Sequence, residues 1–189
     1  MAKESYHHGD LRRVLLDTAA EAIAEAGPAA LSLRDLARRA GVSHAAPTHH
    51  FGDKKGLLTA LAEEGFDRLA AALRESRAAT GSFLELGVTY VRFATTHRAH
   101  FEVMWRPELY HPDDPALAAA RDRSGDALYS GVAELPDGPK DADVEEAGLA
   151  AWSLAHGFAT LWLGGALPDM PDLPDEAARA VLRHLTGGN

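Results

Sequence analysis

Apolar residues recur every three or four positions through most of the chain, which places them on one face of an α-helix. In the first such segment the apolar positions run from Leu11, Val14 and Leu15 to Ile23 and Ala26. Gly27-Pro28 follows, and this pair is typical of a helix end. No segment shows the alternation of a β-strand, and there is no internal repeat. The pattern predicts an all-α fold of about nine helices.

Helix-start signals divide the rest of the chain. Ser32-Leu33-Arg34-Asp35 and Ser82-Phe83-Leu84-Glu85 are typical capping boxes, in which the serine and the acidic residue satisfy each other's backbone amides. Ser43 is predicted to cap a short helix, and Gly81 and the loop 136–139 are predicted to separate longer ones. The predicted helices after Gly41 span 44–50, 54–79, 83–96, 112–135, 143–167 and 175–185.

The composition excludes several classes of protein. The 189 residues are 46% hydrophobic and 25% charged, which is ordinary for a folded soluble chain. Cysteine is absent, so disulfide scaffolds, Cys-ligated metals and thiol nucleophiles are excluded. The amino terminus lacks the apolar stretch of a secretory signal, and no run approaches the roughly 18 apolar residues of a membrane span. We expect a cytoplasmic protein without a membrane partner.

The net charge of −9 argues at first against a nucleic-acid partner. The charge is unevenly distributed, however. Residues 1–56 contain eight Lys and Arg against seven Asp and Glu, a balance of +1, and the rest of the chain carries −10. Five of the ten histidines also lie in the first 56 residues. The acidity therefore belongs to the carboxy-terminal part and does not exclude DNA as a partner of the amino-terminal part.

The segment from Leu33 to Pro47 has the spacing of a helix-turn-helix. Ala37 is small enough for two helices to cross closely, and Gly41 tolerates positive φ in the turn four positions later. Any tight helical hairpin could show the same pair of residues. The amphipathic helix upstream and the basic helix start Lys54-Lys55 downstream favour the DNA-binding interpretation, because a basic helix start suits phosphate.

The amino-terminal part resembles the DNA-binding domain of the TetR family of bacterial transcriptional repressors. The resemblance rests on Leu33-Arg34-Asp35-Leu36-Ala37, on Ala40-Gly41-Val42-Ser43 and on His50-Phe51-x-x-Lys54-x-x-Leu57-Leu58. The opening Tyr6-His7-His8-Gly9-Asp10-Leu11-Arg12, together with Trp152, His156 and Gly157, resembles one subgroup of this family. The chain departs from the family pattern at Thr48, where an aromatic residue is usual, and at Pro47, where an aliphatic residue is usual.

The resemblance implies a DNA-binding domain over residues 1–56 and an effector-binding and dimerisation domain over 57–189. It implies a repressor that binds a palindromic operator as a homodimer, formed through helices 143–167 and 175–185. Residues implied to face the groove or bind phosphate are Tyr6, Arg34, Ser43, His44, Ala45, Thr48, His49, His50 and Lys54. For His50, packing beside Phe51 is an equally open interpretation.

A small, largely apolar effector is the second implied partner. The candidate ligand-binding residues are Tyr90, Phe93, Phe101, Met104, Trp105, Leu109, Tyr110, Leu128, Trp152 and His156. The alternative for each is an ordinary place in the core, and for His156 a satisfied core histidine. No cofactor is expected. No metal site is expected either, because the adjacent histidines 7–8 and 49–50 would point about 100° apart on a helix.

Two other functions stay open at this point. The chain could be a helical ligand-binding or scaffold protein with weak or lost DNA binding, given Thr48 and Pro47. It could also be an all-α enzyme, although it carries no nucleophile elbow, P-loop, dinucleotide fingerprint or metal-spaced His and carboxylate set.

Overall fold

The computed structural model describes residues 8–129, 132–138, 144–167 and 173–185. Within these ranges there are nine α-helices and no strand, which confirms the predicted all-α fold. The helices are α1 (His8–Ala30), α2 (Leu33–Arg39), α3 (Ala46–Phe51), α4 (Lys54–Thr80), α5 (Phe83–Thr96), α6 (Arg98–Met104), α7 (Pro115–Tyr129), α8 (Val144–Leu163) and α9 (Pro174–Leu182). Short 3-10 turns cover Pro107–Leu109, Val132–Glu134 and Arg183–Leu185.

The chain forms two compact units. The first combines Met1–Gly65 with Arg98–Ala119, and the second combines Phe66–His97 with Ala120–Asn189. The first unit therefore contains the helix-turn-helix segment together with α6, and the second contains α5, α8 and α9. The predicted boundary between a DNA-binding domain (1–56) and an effector-binding domain (57–189) falls within the first turn of α4. The functions assigned to these two domains stay predictions.

In the first unit, α1 packs against α2 and α6, and α2 packs against α3. Leu15, Ile23 and Leu36 are almost completely buried between them. Gly27 interrupts the helical backbone of α1 with a φ of 76°, where the sequence predicts the helix end. Val14 is 42% exposed, so its predicted place on the buried face is wrong. The buried stripe of α1 is narrower than the apolar pattern indicates.

In the second unit, α5 packs against both α8 and α9, and those two helices also contact each other. Buried residues cover most of the circumference of α5, including Leu86, Tyr90 and Phe93, as expected for a central helix. Two of the predicted helix ends are wrong. Helix α8 ends at Leu163 because Gly165 adopts a φ of 66°, and α7 ends at Tyr129 rather than near residue 135.

The loop residue Asp137 caps the start of α5. Its carboxylate accepts hydrogen bonds from Phe83 N at 2.6 Å, Leu84 N at 3.1 Å and Ser82 Oγ at 2.7 Å. Partial burial works against the charged carboxylate, but these three donors outweigh it and lower the pKa of Asp137. A charged side chain from a distant loop thus supports the amino terminus of the central helix.

We expect Asp137→Ala to lower the free energy of unfolding by about 2 kcal/mol, because three donors at the start of α5 lose their acceptor. Urea denaturation measures this change. The matched control is Asp126→Asn, since Asp126 is exposed on α7. Equal stability of the wild type and Asp137→Ala would contradict a capping role.

Candidate functional site

Helices α2 and α3 and the turn between them have the geometry of a helix-turn-helix. Ser32 Oγ accepts a hydrogen bond from Asp35 N at 3.1 Å and so caps α2. Gly41 adopts a φ of 67°, and Val42 N donates to the carbonyl of Ala37 at 3.0 Å to close the turn. Only half of the predicted capping box forms, because the Asp35 carboxylate binds Arg38 and Arg39 instead.

Helix α3 begins later than the sequence predicts. Its N-cap is Ala45, without a side-chain hydrogen bond, and Ser43 contributes only its carbonyl, which accepts from Ala46 N at 3.0 Å. The predicted capping role of the Ser43 side chain is therefore wrong. Pro47 lies in the first turn, where proline needs no amide hydrogen bond, and it is buried. The proline that departs from the family pattern is thus accommodated.

One face of α3 is exposed and carries the predicted base-reading residues. Ala45, Thr48 and His49 are three or four positions apart, so they share that face. His44 precedes them and is also exposed, whereas Ala46 and Pro47 turn inward. The structure thus brings four predicted DNA-contacting residues onto one surface. A helix with an exposed polar face of this kind fits the major groove of DNA.

The other predicted phosphate-binding residues differ in their surroundings. Arg34 and Ser43 are exposed near α3 in the chain. His50 is half-buried, with its ring centroid 6.2 Å from that of Phe51. Lys54 begins α4, and its Nζ donates to the carbonyl of Ala29 at 3.0 Å. Tyr6 lies outside the described residues.

Asp53 and Gly56 are two important residues at the α3–α4 junction that the sequence interpretation missed. The Asp53 carboxylate accepts from Gly56 N at 2.8 Å and caps α4. That hydrogen bond is the main reason why the pKa of Asp53 is lowered, and His111, 3.5 Å away, adds to it. A Cβ at Gly56 would lie 2.0 Å from the carbonyl oxygen of Phe51, so only glycine fits. The Asp53-x-x-Gly56 spacing before an apolar helix was the available signal.

The second unit contains a small cavity that α5, α7, α8 and α9 line together. Its volume is about 20 Å³, which is room for about one water molecule. Among the described residues, none with a charged side chain lines it. The lining residues are Phe83, Leu84, Leu86, Gly87, Tyr90, Leu128, Gly148, Ala151, Trp152, Ala155 and Leu182.

Three side chains form a hydrogen-bonded cluster at this cavity. Trp152 Nε1 donates to Tyr90 Oη at 3.2 Å, and Tyr90 Oη lies 2.8 Å from His156 Nδ1. Because indole only donates, the Tyr90 hydroxyl accepts from Trp152 and donates to the neutral imidazole. Burial raises the pKa of Tyr90 and lowers that of His156, so both groups are uncharged near neutral pH.

The remaining predicted ligand-binding residues do not line this cavity. Phe93 stacks on His97 in the second unit, with ring centroids 4.9 Å apart. Phe101, Met104, Trp105, Leu109 and Tyr110 all belong to the first unit. Phe101, Met104 and Tyr110 are buried there, and the Tyr110 hydroxyl donates to the carbonyl of Met104 at 2.9 Å. The structure thus brings Tyr90, Leu128, Trp152 and His156 together and places the other six elsewhere.

The lowered pKa of His156 predicts how the free energy of unfolding depends on pH. The unfolded chain binds a proton at this imidazole more readily than the folded chain, so the free energy of unfolding should fall as pH drops below about 6.5. We expect His156→Gln to lose less stability between about pH 7.5 and pH 5.5 than the wild type does. Urea denaturation at the two pH values tests this. Identical losses would show that His156 does not contribute to the pH dependence.

Across the described ranges no cluster of three or more His, Asp or Glu side chains could hold a metal ion. None of the helices in the same ranges is long and apolar enough to cross a membrane.

Comparisons with known proteins agree with this geometry. Residues 15–61 match the family model of bacterial regulatory proteins of the tetR family, and residues 83–185 match the tetracyclin repressor-like C-terminal domain. The HTH-type transcriptional regulator BetI of Cronobacter sakazakii is 32% identical over 174 residues, covering 85% of this chain and 81% of that protein.

Solved structures share the fold of this chain. A protein of unknown function from Rhodococcus sp. RHA1 is 38% identical, with a TM-score of 0.82 and 98% of each chain covered. The TetR family transcriptional regulator PfmR from Thermus thermophilus is 26% identical, with a TM-score of 0.73, covering 92% of this chain and 97% of that one. The helix-turn-helix geometry and these matches together show that the chain is a DNA-binding transcriptional regulator that belongs to the TetR family.

Proposed function

We propose that the chain is a cytoplasmic repressor, not an enzyme, that binds a palindromic operator as a homodimer and is released by a neutral, largely apolar small molecule. The observation that carries this proposal is the exposed α3 face of Ala45, Thr48 and His49, with His44 beside it. Ala45 can contact a thymine methyl group, and Thr48 and His49 can form hydrogen bonds with base edges. Arg34, Ser43, His50, Lys54 and Tyr6 are the proposed phosphate contacts.

A gel-shift assay with the intergenic DNA upstream of the gene tests the DNA-binding part. We expect Thr48→Ala and His49→Ala each to weaken operator binding by about tenfold or more, since a good base contact contributes roughly 1–3 kcal/mol. Trp152→Ala, at the cavity of the second unit, is the control and should still bind. Unchanged affinity in both α3 variants would contradict the assigned roles.

Exposed apolar side chains on α8 and before α9 support the dimer. Leu149 and Leu161 on α8 are 52% and 48% exposed, and Leu173 is 57% exposed. A Cβ at Gly157 would meet no atom within 4 Å, so this side of α8 is open to another helix. Large apolar side chains at the surface favour burial against a partner, and a two-fold dimer doubles the number of base pairs read.

The cavity in the second unit supports the effector. Its lining is apolar, and the Tyr90 hydroxyl, which is held by its hydrogen bond with His156, is the polar group that would orient a ligand. A charged ligand would lose hydration there without gaining a charged partner. We therefore infer an uncharged effector with one hydrogen-bonding group.

The small size of the cavity suggests how binding could be transmitted. A ligand larger than one water must displace lining side chains, and Leu182 of α9 is among them. A Cβ at Gly87 would already lie 2.9 Å from Leu182 Cδ1, so α5 and α9 are closely packed at this point. Ligand binding would thus shift α9, one of the two proposed dimerisation helices, and change the spacing of the recognition helices.

Three probes with one ring system test the effector class. Calorimetry should show binding of 1-naphthalenemethanol, and little binding of 1-naphthoate or 1-naphthylmethylammonium. The neutral probe should also weaken operator binding, and operator DNA should weaken probe binding by the same factor, because the coupling is reciprocal. Independent binding of probe and DNA would contradict the proposed release mechanism.

One observation favours a second candidate, a ligand-binding helical protein with weak DNA affinity. The basic groups nearest to α3 are engaged within the chain, since Arg39 binds Glu25 and Asp35 and Lys54 binds the Ala29 carbonyl. Absence of binding to any palindromic DNA at low salt, together with probe binding, would favour this candidate.

A further inference from the structure

The recognition helix of this chain carries no permanent positive charge. From His44 to Phe51 the sequence contains three histidines and no Lys, Arg, Asp or Glu. His44 and His49 are exposed, whereas His50 is half-buried beside Phe51. A surface that enters the groove of a polyanion normally gains affinity from cations. In this helix, only imidazoles can supply that charge.

The surrounding basic side chains are largely committed to neighbours in the protein. Arg38 and Arg39 pair with the carboxylate of Asp35, and Arg39 Nη1 also lies 2.7 Å from Glu25 Oε2. Arg12 lies over the ring of Phe51, with its Cζ 5.4 Å from the ring centroid. DNA binding therefore gains less from these fixed charges than their number suggests.

The two acids nearest to α3 in the chain, Asp35 and Asp53, are bound within the protein. Within the described part of the chain, no carboxylate lies in ion-pairing distance of His44 or His49. Asp53 is bound to Gly56 N and lies 3.5 Å from His111. The charged and titratable groups on α1 from residue 12 onward, on α2, over residues 53–63 and over residues 105–114 are Arg12, Arg13, Asp17, Glu21, Glu25, Arg34, Asp35, Arg38, Arg39, Asp53, Lys54, Lys55, Glu63, Arg106, Glu108, Tyr110, His111, Asp113 and Asp114.

Imidazole is the side chain that changes charge between about pH 5 and pH 8, and a nearby phosphate stabilises its protonated form. His49 and His50 have ring centroids 5.5 Å apart, so charging both would cost repulsion. His44 and His49 are thus the pair best placed to become charged against DNA.

We propose that operator binding takes up protons at His44 and His49, so that this regulator holds its operator more tightly as the pH falls. The proposal rests on the proposed function, since it assumes that this face of α3 enters the groove. The balance of +1 over residues 1–56 is calculated with neutral histidines. Protonation of His44 and His49 would therefore add two positive charges to this segment in each subunit of a dimer. The negative charge of the DNA phosphates around the groove would stabilise the two imidazolium groups.

The test is fluorescence anisotropy with a DNA fragment selected by the protein, at constant ionic strength and at about pH 6, 7 and 8. For the wild type we expect about tenfold tighter binding at pH 6 than at pH 8. The salt dependence should also be steeper at pH 6, by about 0.9 in the log–log slope for each imidazolium that contacts a phosphate. Circular dichroism at each pH confirms that the protein is folded under the conditions used.

The variants His44→Gln and His49→Gln keep hydrogen-bonding ability but cannot become charged. We expect each to reduce the ratio of affinities between pH 6 and pH 8, and the double variant to reduce it to about twofold or less. His97→Gln, at the carboxyl end of α5 in the second unit, should keep the wild-type ratio. A wild-type affinity and salt slope that do not change with pH would overturn the proposal, as would a full pH effect in the double variant. Failure to bind DNA at every pH would instead overturn the proposed function.

Discussion

Gly56→Ala is expected to abolish operator binding and to destabilise the first unit by about 3 kcal/mol or more. The added Cβ would lie 2.0 Å from the carbonyl oxygen of Phe51, which is a backbone atom and cannot rotate away. The junction between α3 and α4 would have to open. That movement would break the hydrogen bond from Gly56 N to Asp53 and displace the recognition helix. Thermal denaturation and a gel shift measure the two effects.

The matched control is Gly125→Ala on α7. A Cβ at Gly125 would meet no atom within 4 Å, and alanine is the better helix former by roughly 1 kcal/mol. This variant should therefore be as stable as the wild type or more so, with unchanged operator binding. If Gly56→Ala bound the operator as tightly as Gly125→Ala does, the described junction would be wrong.

Leu161→Asp on α8 is expected to convert the dimer to a folded monomer and to weaken operator binding by more than about 100-fold. Leu161 is 48% exposed, so the charge costs little within one chain, but it would be buried at the proposed interface. A monomer presents one recognition helix and loses the contacts of the second half-site. Sedimentation velocity reports the oligomeric state, and anisotropy reports operator affinity.

Ala78→Asp provides the control for the added charge. Ala78 is exposed on α4, outside the two helices proposed for dimerisation. The Ala78→Asp protein should remain dimeric and bind the operator. A Leu161→Asp protein that sediments as a dimer would contradict the proposed interface, and one that is monomeric yet binds normally would contradict the need for a dimer.

Local signals in the sequence predicted much of the fold. Gly27, Gly41 and Gly81 adopt positive φ values at the predicted breaks between helices, whereas Gly165, which also has a positive φ, was predicted to lie inside a helix. The α8 prediction extended past Gly165 because apolar residues continue after it. Periodicity alone cannot show where a glycine pair ends a helix.

Contacts between distant parts of the chain could not be predicted. Trp152 and His156 lie four positions apart within the predicted helix 143–167, but Tyr90, which bonds both of them, is more than 60 positions away. Asp137 was assigned to a loop, and nothing near it in the chain indicates that it caps α5. Such pairs depend on how helices pack, and a pattern along one segment does not encode them.

The candidate ligand-binding residues also show that a local sequence pattern does not encode how helices pack. Large apolar side chains such as Phe101 and Tyr110 are alike in sequence whether they fill a core or line a cavity, and the structure buries both in the first unit. The exposed face of α3 was easier to predict, because the residues proposed to contact DNA lie within one short segment, where a three-to-four spacing defines a helix face directly.

Selection of bound fragments from a random DNA pool would show directly whether the chain binds DNA as a two-fold dimer. A dimer that presents two copies of the exposed α3 face should enrich an inverted repeat whose half-site centres lie about one helical turn apart, or a multiple of it. Enrichment of a single half-site without symmetry, or of no sequence at all, would contradict the account of this chain as a dimeric operator-binding regulator.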